Sequence, residues 1–347
     1  MRTANGWRNW GSELSRLDWA GLNKHVWATT MKAPPEGFSS EHQPVLLHEV
    51  LDFLMCRPGG IFVDATLGLG GHAEAILQKI QPGGRLIGVD RDKESLERVR
   101  DRLLPYAHSV LYFHENFKNL PLILNNLDLP PLDGILADLG VSSYQLLSPE
   151  RGFSFQGSGM LDMRMDRSQT QTAAGLVNQL PEEQIADLIH RYGEERYARR
   201  IAKAIVRARS QGRISQCAEL ARIIESAVPA RGPRSIHPAT RTFQALRIAV
   251  NEELEGLEEF LADVLPFVKP GGRVAVISFH SLEDRIVKRT FRKAAGLCVC
   301  NRSPELCTCP REARVTIVTA RPATPRTAEL EVNPSARSAR LRVAERI

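Results

Sequence analysis

The 347-residue chain contains no apolar run that approaches the ~18 residues of a membrane-spanning helix, which excludes an integral helical membrane protein. Its N-terminus also lacks the apolar core of a secretory signal peptide. We therefore expect a cytoplasmic protein with no membrane partner, and we expect its 6 cysteines to form no structural disulfides. The sequence has no internal repeat, so its elements are interpreted one by one.

The composition is that of an ordinary globular protein, with 43% apolar and 25% charged residues, and the length allows one large or two ordinary domains. The formal net charge is +6, and from Arg285 to the C-terminus 14 lysines and arginines stand against 5 acidic residues. This excess favours a polyanionic partner. A solvated basic tail is the alternative interpretation.

Residues 1–40 differ from the rest of the chain. They contain all 4 tryptophans, show no sustained hydrophobic period and end in the sequence APPEG at 33–37. We interpret them as an appended, disordered segment. Two alternatives are a transit peptide, which Glu13 and Asp18 interrupt, and an over-extended gene start with Met31 as the true initiator.

Residues 61–92 organise the chain. The apolar run at 61–63 ends on Asp64 and leads through the glycine-rich sequence GLGGH at 68–72 into a helical pattern. A second apolar run, at 86–89, ends on Asp90. This pattern predicts a βαβ unit whose glycines let the backbone approach a ligand and whose Asp90 accepts both hydroxyls of a ribose. The unit therefore predicts a nucleoside-containing cofactor.

The glycine turn by itself leaves two cofactors open. Gly68, Gly70 and Ala73 satisfy the dinucleotide fingerprint G-x-G-x-x-G/A, and Asp90 follows 17 residues after Ala73. S-adenosylmethionine is the alternative, because it has a ribose and no pyrophosphate. Its positive sulfonium and amino-acid tail suit an acid beside the turn, such as Asp64.

Helices and strands continue to alternate beyond Asp90. Helical patterns cover about 93–104 and 120–126, and strand patterns cover 110–114, 134–138 and 273–279. The alternation predicts an α/β fold with a doubly wound sheet. More than 130 residues separate the last two strands, so residues 145–238 are predicted to form an inserted helical domain, and one helix at about 241–268 returns the chain to the sheet. The sheet domain then comprises 41–144 and 239–347.

Eight motifs together carry a specific resemblance. They read GLGGH at 68–72, DLGVSSYQ at 138–145, RGFSF at 151–155, LDMRMD at 161–166, YGEER at 192–196, HPATRTFQALR at 237–247, SFHSLEDR at 278–285 and NPSARS at 333–338. From about residue 42 to the end, the chain closely resembles the bacterial 16S ribosomal RNA cytosine-N4 methyltransferases, the MraW or RsmH family. The resemblance implies a Rossmann-like S-adenosylmethionine-dependent methyltransferase sheet that N4-methylates a cytidine in the decoding region of 16S ribosomal RNA.

By the same resemblance, S-adenosylmethionine is the cofactor. The residues implied to bind it are Gly70, Gly71, His72, Asp90, Phe117, Asp138 and Gln145. The physical roles fit, because backbone N–H groups at a helix N-terminus suit the cofactor's carboxylate and Asp90 suits its ribose. For His72, a helix-start residue that contributes only its backbone is the alternative.

Methyl transfer to cytosine N4 requires a group that accepts an N4–H hydrogen bond, because the nitrogen lone pair is delocalised into the ring. Many amino-methyltransferases place an Asp/Asn-Pro-Pro-aromatic motif after the fourth strand, and this chain does not have it. The candidate acceptors are Asp138, the hydroxyls of Ser142 and Ser143, and His280. A hydrogen-bonded structural histidine is the alternative for His280.

The inserted domain is predicted to recognise the RNA, which the resemblance places in the small ribosomal subunit. Phe153 and Phe155 are candidates for stacking on an extruded base or, equally, for a hydrophobic plug. Candidates for phosphate contacts are Arg164, Arg241, Arg247 and the cluster at 191–213, where 8 lysines and arginines stand against 2 glutamates. A solvated helix face is the alternative for that cluster. The sequence leaves a homodimer open as the oligomeric state.

Four cysteines form two C-x-C pairs, Cys298 with Cys300 and Cys307 with Cys309. They are not a general feature of the family. Four thiolates in such a pattern are able to hold one Zn²⁺ and pin a basic hairpin around Ser303 and Pro304. The spacing departs from the common C-x₂-C knuckle, so structural zinc and free thiols remain alternatives and no metal site is assigned. Cys56 and Cys217 are interpreted as single buried thiols.

Overall fold

The computed structural model describes residues 44–155, 159–229, 236–300, 302, 306–309 and 311–347. The N-terminal segment 1–40 and the turn residues Ser303 and Pro304 lie outside this part of the chain. The chain divides into two compact units, of which the first comprises the residues up to Gly140 together with Gly256–Ile347 and the second comprises Val141–Glu255.

The first unit contains a seven-stranded sheet with the strand order β3-β2-β1-β4-β5-β7-β6. The strands are β1 (Ile61–Asp64), β2 (Arg85–Asp90), β3 (Val110–His114), β4 (Leu132–Asp138), β5 (Val268–Ser278), β6 (Val315–Ile317) and β7 (Arg340–Arg346). Strands β1 to β5 are parallel, as the alternation predicts, whereas β7 runs antiparallel to both β5 and β6. The sequence analysis did not predict β6 and β7.

The described residues also form 13 α-helices. They are α1 (Leu47–Leu54), α2 (Gly71–Ile80), α3 (Lys93–Arg102), α4 (Leu120–Asn126), α5 (Ser143–Leu147), α6 (Ala173–Gln179), α7 (Glu182–Gly193), α8 (Ala198–Arg209), α9 (Cys217–Ala227), α10 (Thr240–Asn251), α11 (Leu257–Asp263), α12 (Ser281–Ala294) and α13 (Thr327–Val332). No helix in the described ranges is both long enough and apolar enough to cross a membrane.

Apolar side chains cover both faces of the sheet, because successive residues of a strand point to opposite sides. Val63 of β1 belongs to a buried cluster that includes residues of α4, α11 and α12, whereas its neighbour Phe62 belongs to a second cluster with residues of α1, α2 and α3. Ile135 and Leu136 of β4 divide in the same way. Helices on both faces of a largely parallel sheet make this a doubly wound α/β fold, which confirms the predicted fold class.

The strand order reverses between β1 and β4, which makes this the topological switch point of the sheet. Ligands of open α/β sheets bind outside the carboxyl ends of the strands at such a point. Three strands end there in an aspartate, with Asp64 on β1, Asp90 on β2 and Asp138 on β4. We call these three residues the acid edge.

The second unit is helical and has its own buried core, to which helices α6 to α10 contribute. It begins four residues before the predicted insertion 145–238 and ends 17 residues after it. The later boundary has a physical cause, since Phe243, Leu246 and Val250 of α10 are buried in the core of this unit.

The predicted single helix at 241–268 is wrong. It is divided into α10 and α11, because Glu252 and Gly256 between them both adopt positive φ angles of 49° and 71°. A residue in the left-handed region ends a helix, and glycine is the residue that adopts it at least cost.

Candidate functional site

The glycine turn between β1 and α2 has a backbone that only glycine adopts easily. Gly68 and Gly70 have φ angles of 51° and 77°. A Cβ atom on Gly70 would lie 2.3 Å from Cγ2 of Val99 on α3, so a side chain has no space there. The turn leads directly into Gly71 and His72, the first residues of α2, where helical N–H groups have no partner within the helix. This is the geometry that a carboxylate or phosphate ligand requires.

Asp90 holds this turn in place. Its Oδ2 accepts a hydrogen bond from the N–H of Gly68 at 2.6 Å, and its Oδ1 accepts one from the N–H of Asp92 at 2.7 Å. Burial raises the pKa of Asp90 to about 6, although both hydrogen bonds oppose the shift. A carboxylate has about four lone-pair positions, so Asp90 keeps acceptor capacity for a ligand.

Asp64 is fully buried at the end of β1, and its Oδ1 accepts a hydrogen bond from the N–H of Thr66 at 3.1 Å. Burial raises its pKa to about 7, and the nearby charge of Asp90 adds to the shift. The sequence analysis considered Asp64 only as one support for the alternative cofactor. Its burial beside the turn gives it more weight, since a buried acid favours a cationic ligand.

Asp138 has a buried carboxyl oxygen that no residue in the described ranges satisfies. Its backbone N–H donates to Oγ1 of Thr66 at 2.6 Å, and its Oδ2 lies 3.5 Å from Nδ1 of His72. Its Oδ1 accepts no hydrogen bond from any residue in the described ranges. Burial and the charges of Asp64 and Glu283 raise the pKa of Asp138 well above its ordinary value. Such an oxygen requires a donor from a ligand or from water.

His72 is buried, and its imidazole ring lies between Val45 and Asp138. Nε2 lies 2.9 Å from the carbonyl oxygen of Val45. Because a carbonyl oxygen only accepts, Nε2 carries a hydrogen, and in the neutral ring Nδ1 is then an acceptor facing Oδ2 of Asp138. Burial raises the pKa of Asp138, which favours a proton between these two facing acceptors. The side chain is therefore more than a helix-start residue.

Phe117 follows β3 and lies half-buried, with its ring edge-to-face against Phe260 of α11 at a centroid distance of 4.9 Å. The N–H of Glu115, two residues earlier, donates to the carbonyl oxygen of Asp90 at 3.0 Å. Phe117 therefore lies two residues after Glu115, which is hydrogen-bonded to Asp90 of the acid edge.

Ser142, Ser143 and Gln145 belong to the second unit, at the start of α5. Oγ of Ser142 accepts from the N–H of Gln145 at 3.3 Å, and Oε1 of Gln145 accepts from the N–H of Ser142 at 3.0 Å. This reciprocal pair is a capping box, so both side chains have a structural task. Ser143 is the first residue of the helix.

His280 caps the N-terminus of α12. Its Nδ1 accepts a hydrogen bond from the N–H of Glu283 at 3.4 Å, and its Nε2 lies 3.2 Å from Oε1 of the same residue. Oε2 of Glu283 accepts from the N–H of Phe279 at 2.9 Å. This geometry supports the structural alternative for His280. The sequence analysis missed Glu283, although the H-x-x-E spacing after a strand resembles a capping box.

Exposed cations form a stripe along α8 in the second unit. Arg199, Arg200, Lys203 and Arg207 are exposed and lie on one side of the helix, while Ile201, Ala202 and Ile205 are buried on the other. We call these four cations the basic face. Across the described residues, none of the four has an acidic partner within 4.0 Å. Like charges spaced by four residues on a helix repel one another, so the stripe suits a polyanion.

Two arginines that were candidates for phosphate contacts are instead held by carboxylates. Nε and Nη2 of Arg164 donate to Asp162 at 2.6 and 2.9 Å. Arg247 donates to both oxygens of Glu253 at 2.9 and 2.8 Å. Arg241 is more exposed, although its guanidinium donates to the carbonyl oxygen of Glu194 at 3.2 Å.

The two candidate stacking aromatics also have partners within the second unit. Phe153 is buried in its core. The ring of Phe155 is stacked on that of His237 at 4.4 Å and packs edge-to-face on Phe243 at 5.3 Å. This geometry supports the interpretation of a hydrophobic plug.

Comparison with known proteins identifies relatives over most of the chain. Residues 39–347 match the family model described as the MraW methylase family. The chain is 50% identical over 308 residues to the ribosomal RNA small subunit methyltransferase H of Halothermothrix orenii, covering 88% of this chain and 99% of that one. It is 51% identical over 309 residues to the protein of the same name from Pelobacter propionicus, covering 88% and 99%. These matches confirm the predicted resemblance.

Proposed function

Because this chain belongs to the MraW methylase family, we propose that it transfers the methyl group of S-adenosylmethionine to N4 of a cytidine in the decoding region of 16S ribosomal RNA. Relatives covered almost end to end are named as small-subunit ribosomal RNA methyltransferases. The observation that carries the finer assignment is the buried Oδ1 of Asp138, which has no hydrogen-bond donor among the described residues.

The cofactor binds at the acid edge in this proposal. The N–H groups of the first turn of α2 receive its carboxylate, and Asp90 receives the ribose hydroxyls. The positive sulfonium and ammonium groups are stabilised by the buried carboxyl of Asp64. A dinucleotide fits this edge less well, because three acids close to the turn would oppose its pyrophosphate.

The acceptor amine donates one N4–H to Oδ1 of Asp138. This hydrogen bond localises the nitrogen lone pair and points it at the sulfonium methyl, as an in-line displacement requires. The new N–CH₃ bond forms as the S–CH₃ bond breaks, and S-adenosylhomocysteine leaves neutral at sulfur. The alkylated nitrogen then carries a positive charge and must lose a proton.

Asp138 and His72 provide a route for that proton. Oδ1 of Asp138 takes it from N4, while the proton on Oδ2 moves to Nδ1 of His72, 3.5 Å away. The resulting imidazolium is held by the carbonyl oxygen of Val45 and by Oδ2 of Asp138, whose carboxyl stays neutral because it now carries the N4 proton on Oδ1. His72 therefore acts in this proposal as a proton acceptor through Asp138.

The positions of the cysteines favour methylation of cytosine at N4 over methylation at C5. Methylation at C5 requires a nucleophile that first adds to the ring, a task to which thiolates are suited. None of the 6 cysteines stands in the few residues that come directly after the carboxyl end of a parallel strand, β1 to β5. Burial also raises the pKa of the Cys56 and Cys217 thiols to about 12.

In the second unit, the basic face of α8 is proposed to contact ribosomal RNA phosphates. Its four cations are exposed and have no carboxylate partner in the part of the chain that the structure describes. Arg209 at the end of the same helix instead donates to the carbonyl oxygens of Val177 and Leu180 at 2.8 and 2.7 Å. One helix thus separates structural cations from cations available to a ligand.

The test uses the purified full chain, methyl-labelled S-adenosylmethionine and small ribosomal subunits from cells that lack this gene. Nuclease digestion and mass spectrometry should find the label in N4-methylcytidine from the decoding region. Free 16S ribosomal RNA serves as the comparison substrate and should be methylated more slowly. Label in another nucleoside would overturn the N4 assignment, and cofactor binding without transfer to either substrate would favour an RNA-binding factor with a degenerate cofactor fold.

A further inference from the structure

The four clustered cysteines have no role in methyl transfer, yet their sulfurs converge on one point. Sγ of Cys298 lies 3.5 Å from Sγ of Cys300 and 3.6 Å from that of Cys307, and Cys300 and Cys307 are also 3.6 Å apart. With Cys309 included, all four sulfurs lie within 4.8 Å of one another.

These Sγ–Sγ distances are close to the sulfur–sulfur separation in a tetrahedral metal site, and they are much longer than a disulfide bond. A Zn–S distance of about 2.3 Å separates the sulfurs of a tetrahedral site by about 3.8 Å. A disulfide requires about 2.05 Å, and all four thiols are free. The sulfurs are therefore spaced as ligands of one ion.

The fold around the cysteines explains why a metal cross-link would stabilise this loop. α12 ends at Ala294, and the chain returns where Arg314 donates to the carbonyl oxygen of Ala294 at 2.7 Å and Ala313 pairs with Ala295. The cysteines lie on the loop between these two points. No described residue from 297 to 309 is buried, so apolar packing does not hold the loop.

The charge of the surroundings also suits a tetrathiolate. Zinc bound by four thiolates carries two net negative charges, which nearby cations stabilise. The guanidinium of Arg292 donates to the carbonyl oxygen of Cys298 at 3.4 Å, and the loop segment also carries the exposed Arg302 and Arg311. Partners of this kind orient the ligands of a metal site.

We propose that Cys298, Cys300, Cys307 and Cys309 bind one structural Zn²⁺, which closes the loop between α12 and β6. Four sulfur ligands in a tetrahedron favour zinc or a single iron, and a site that leaves no open coordination position is structural. The thiols lose their protons on binding, so the metal replaces hydrogen-bonded thiols with four metal bonds.

Elemental analysis of the untagged full chain, purified without chelators, tests the proposal. We expect about one zinc per chain in the wild type and almost none in the Cys307→Ser/Cys309→Ser variant. Cys56→Ser is the matched control, because it removes a free thiol from the same unit and should leave the zinc content unchanged. Cofactor binding by both variants verifies that they are folded.

Two further measurements keep the test independent of the variants. Wild-type chain stripped of metal and titrated with Co²⁺ should show the visible absorption of a tetrahedral thiolate site at one equivalent. Removal of zinc should also accelerate tryptic cleavage after Arg302 and Arg311. Stoichiometric iron, a disulfide found by mass spectrometry, or four rapidly titrating thiols with no Co²⁺ spectrum would each overturn the assignment to zinc.

Discussion

The acid edge and the basic face show two opposite ways in which charged side chains are kept available for a ligand. The three acids Asp64, Asp90 and Asp138 are buried or half-buried, and burial raises the pKa of each carboxyl. Arg199 and Lys203 are exposed, and no carboxylate among the described residues holds them in place. A buried acid with an unsatisfied oxygen indicates one specific donor, whereas an exposed row of cations indicates a class of polyanion.

This contrast predicts that substitutions in the two regions differ in the size of their effects on rate and on ligand affinity. Changes at the acid edge should alter rate or cofactor affinity by large factors, because each carboxyl has one partner in one geometry. Changes on the basic face should alter RNA affinity by small, salt-dependent steps, because phosphate contacts are individually weak and interchangeable.

Asp138→Asn should lower the single-turnover rate by about 100- to 1,000-fold, since a positioned proton acceptor contributes on this scale. The amide has the same shape but carries no exchangeable carboxyl proton. Asp133→Asn is the matched control, because Asp133 lies on the same strand and binds Arg57 and Lys269 instead. The control should retain the rate within about twofold. A wild-type rate for Asp138→Asn would remove Asp138 from the chemistry.

Asp90→Ala should weaken S-adenosylmethionine binding by between about 10- and 150-fold, which corresponds to roughly 1.5–3 kcal/mol for hydrogen bonds to a charged group. Isothermal titration calorimetry measures the change. Asp92→Ala is the control, because Asp92 caps α3 through the N–H of Glu94 at 3.1 Å and should affect stability only. Equal losses of affinity in both variants would show that the turn, and not a contact to the ribose, is responsible.

The cofactor affinity of the wild type should rise with pH between 6 and 8. The pKa of Asp64 is raised to about 7, so this carboxyl is protonated at the lower pH and ionised at the higher, and the ionised form attracts the sulfonium. The ionised fraction grows by up to about tenfold over this range, and affinity should follow it. Binding near pH 6 should release a proton, which calorimetry in buffers of different ionisation enthalpy detects.

Asp64→Asn separates this effect from the titration of the cofactor itself. The amide keeps an oxygen for the N–H of Thr66 but cannot ionise, so the pH dependence should flatten while binding at pH 6 stays close to that of the wild type. An unchanged slope would assign the pH dependence to another group.

The acid edge was largely predictable from the sequence, because parallel strands end at one edge of a sheet and each of these strands ends in aspartate. The position of the His72 side chain was not predictable. It depends on the carbonyl oxygen of Val45, 27 residues earlier, and on Asp138, which lies on another strand. Contacts of this kind are set by packing and leave no local pattern.

Other features of the structure had a local signal that was overlooked. Arg164 stands two residues after Asp162, and Arg247 stands six residues before Glu253, so their ion pairs are short-range. Residues 340–346 were counted only as part of the basic C-terminal stretch, although Leu341 and Val343 alternate with arginines in the pattern of a strand. Arg342 shows why the charge misled, because it is buried and donates to Asp284 at 2.6 Å.

The smallest expected effect is that of Lys203→Gln on the basic face. If Lys203 neutralises one phosphate, the variant loses one released counterion, and the salt slope of binding to small subunits should fall by about 0.7 to 0.9. At 0.1 M salt this corresponds to roughly five- to eightfold weaker binding. Filter binding across a salt series measures both quantities, and cofactor affinity should not change.

Arg222→Gln provides the matched control for Lys203→Gln, because Arg222 is an exposed cation on α9 of the same unit and lies outside the basic face. Its loss should leave the salt slope of RNA binding at the wild-type value. Equal slopes for all three proteins would mean that α8 presents a solvated face, and the RNA contacts of this unit would then have to be sought on another of its elements. A reduced slope for Lys203→Gln alone would identify a phosphate contact at one position of the stripe, and stepwise loss of Arg199 and Arg207 would then count the others.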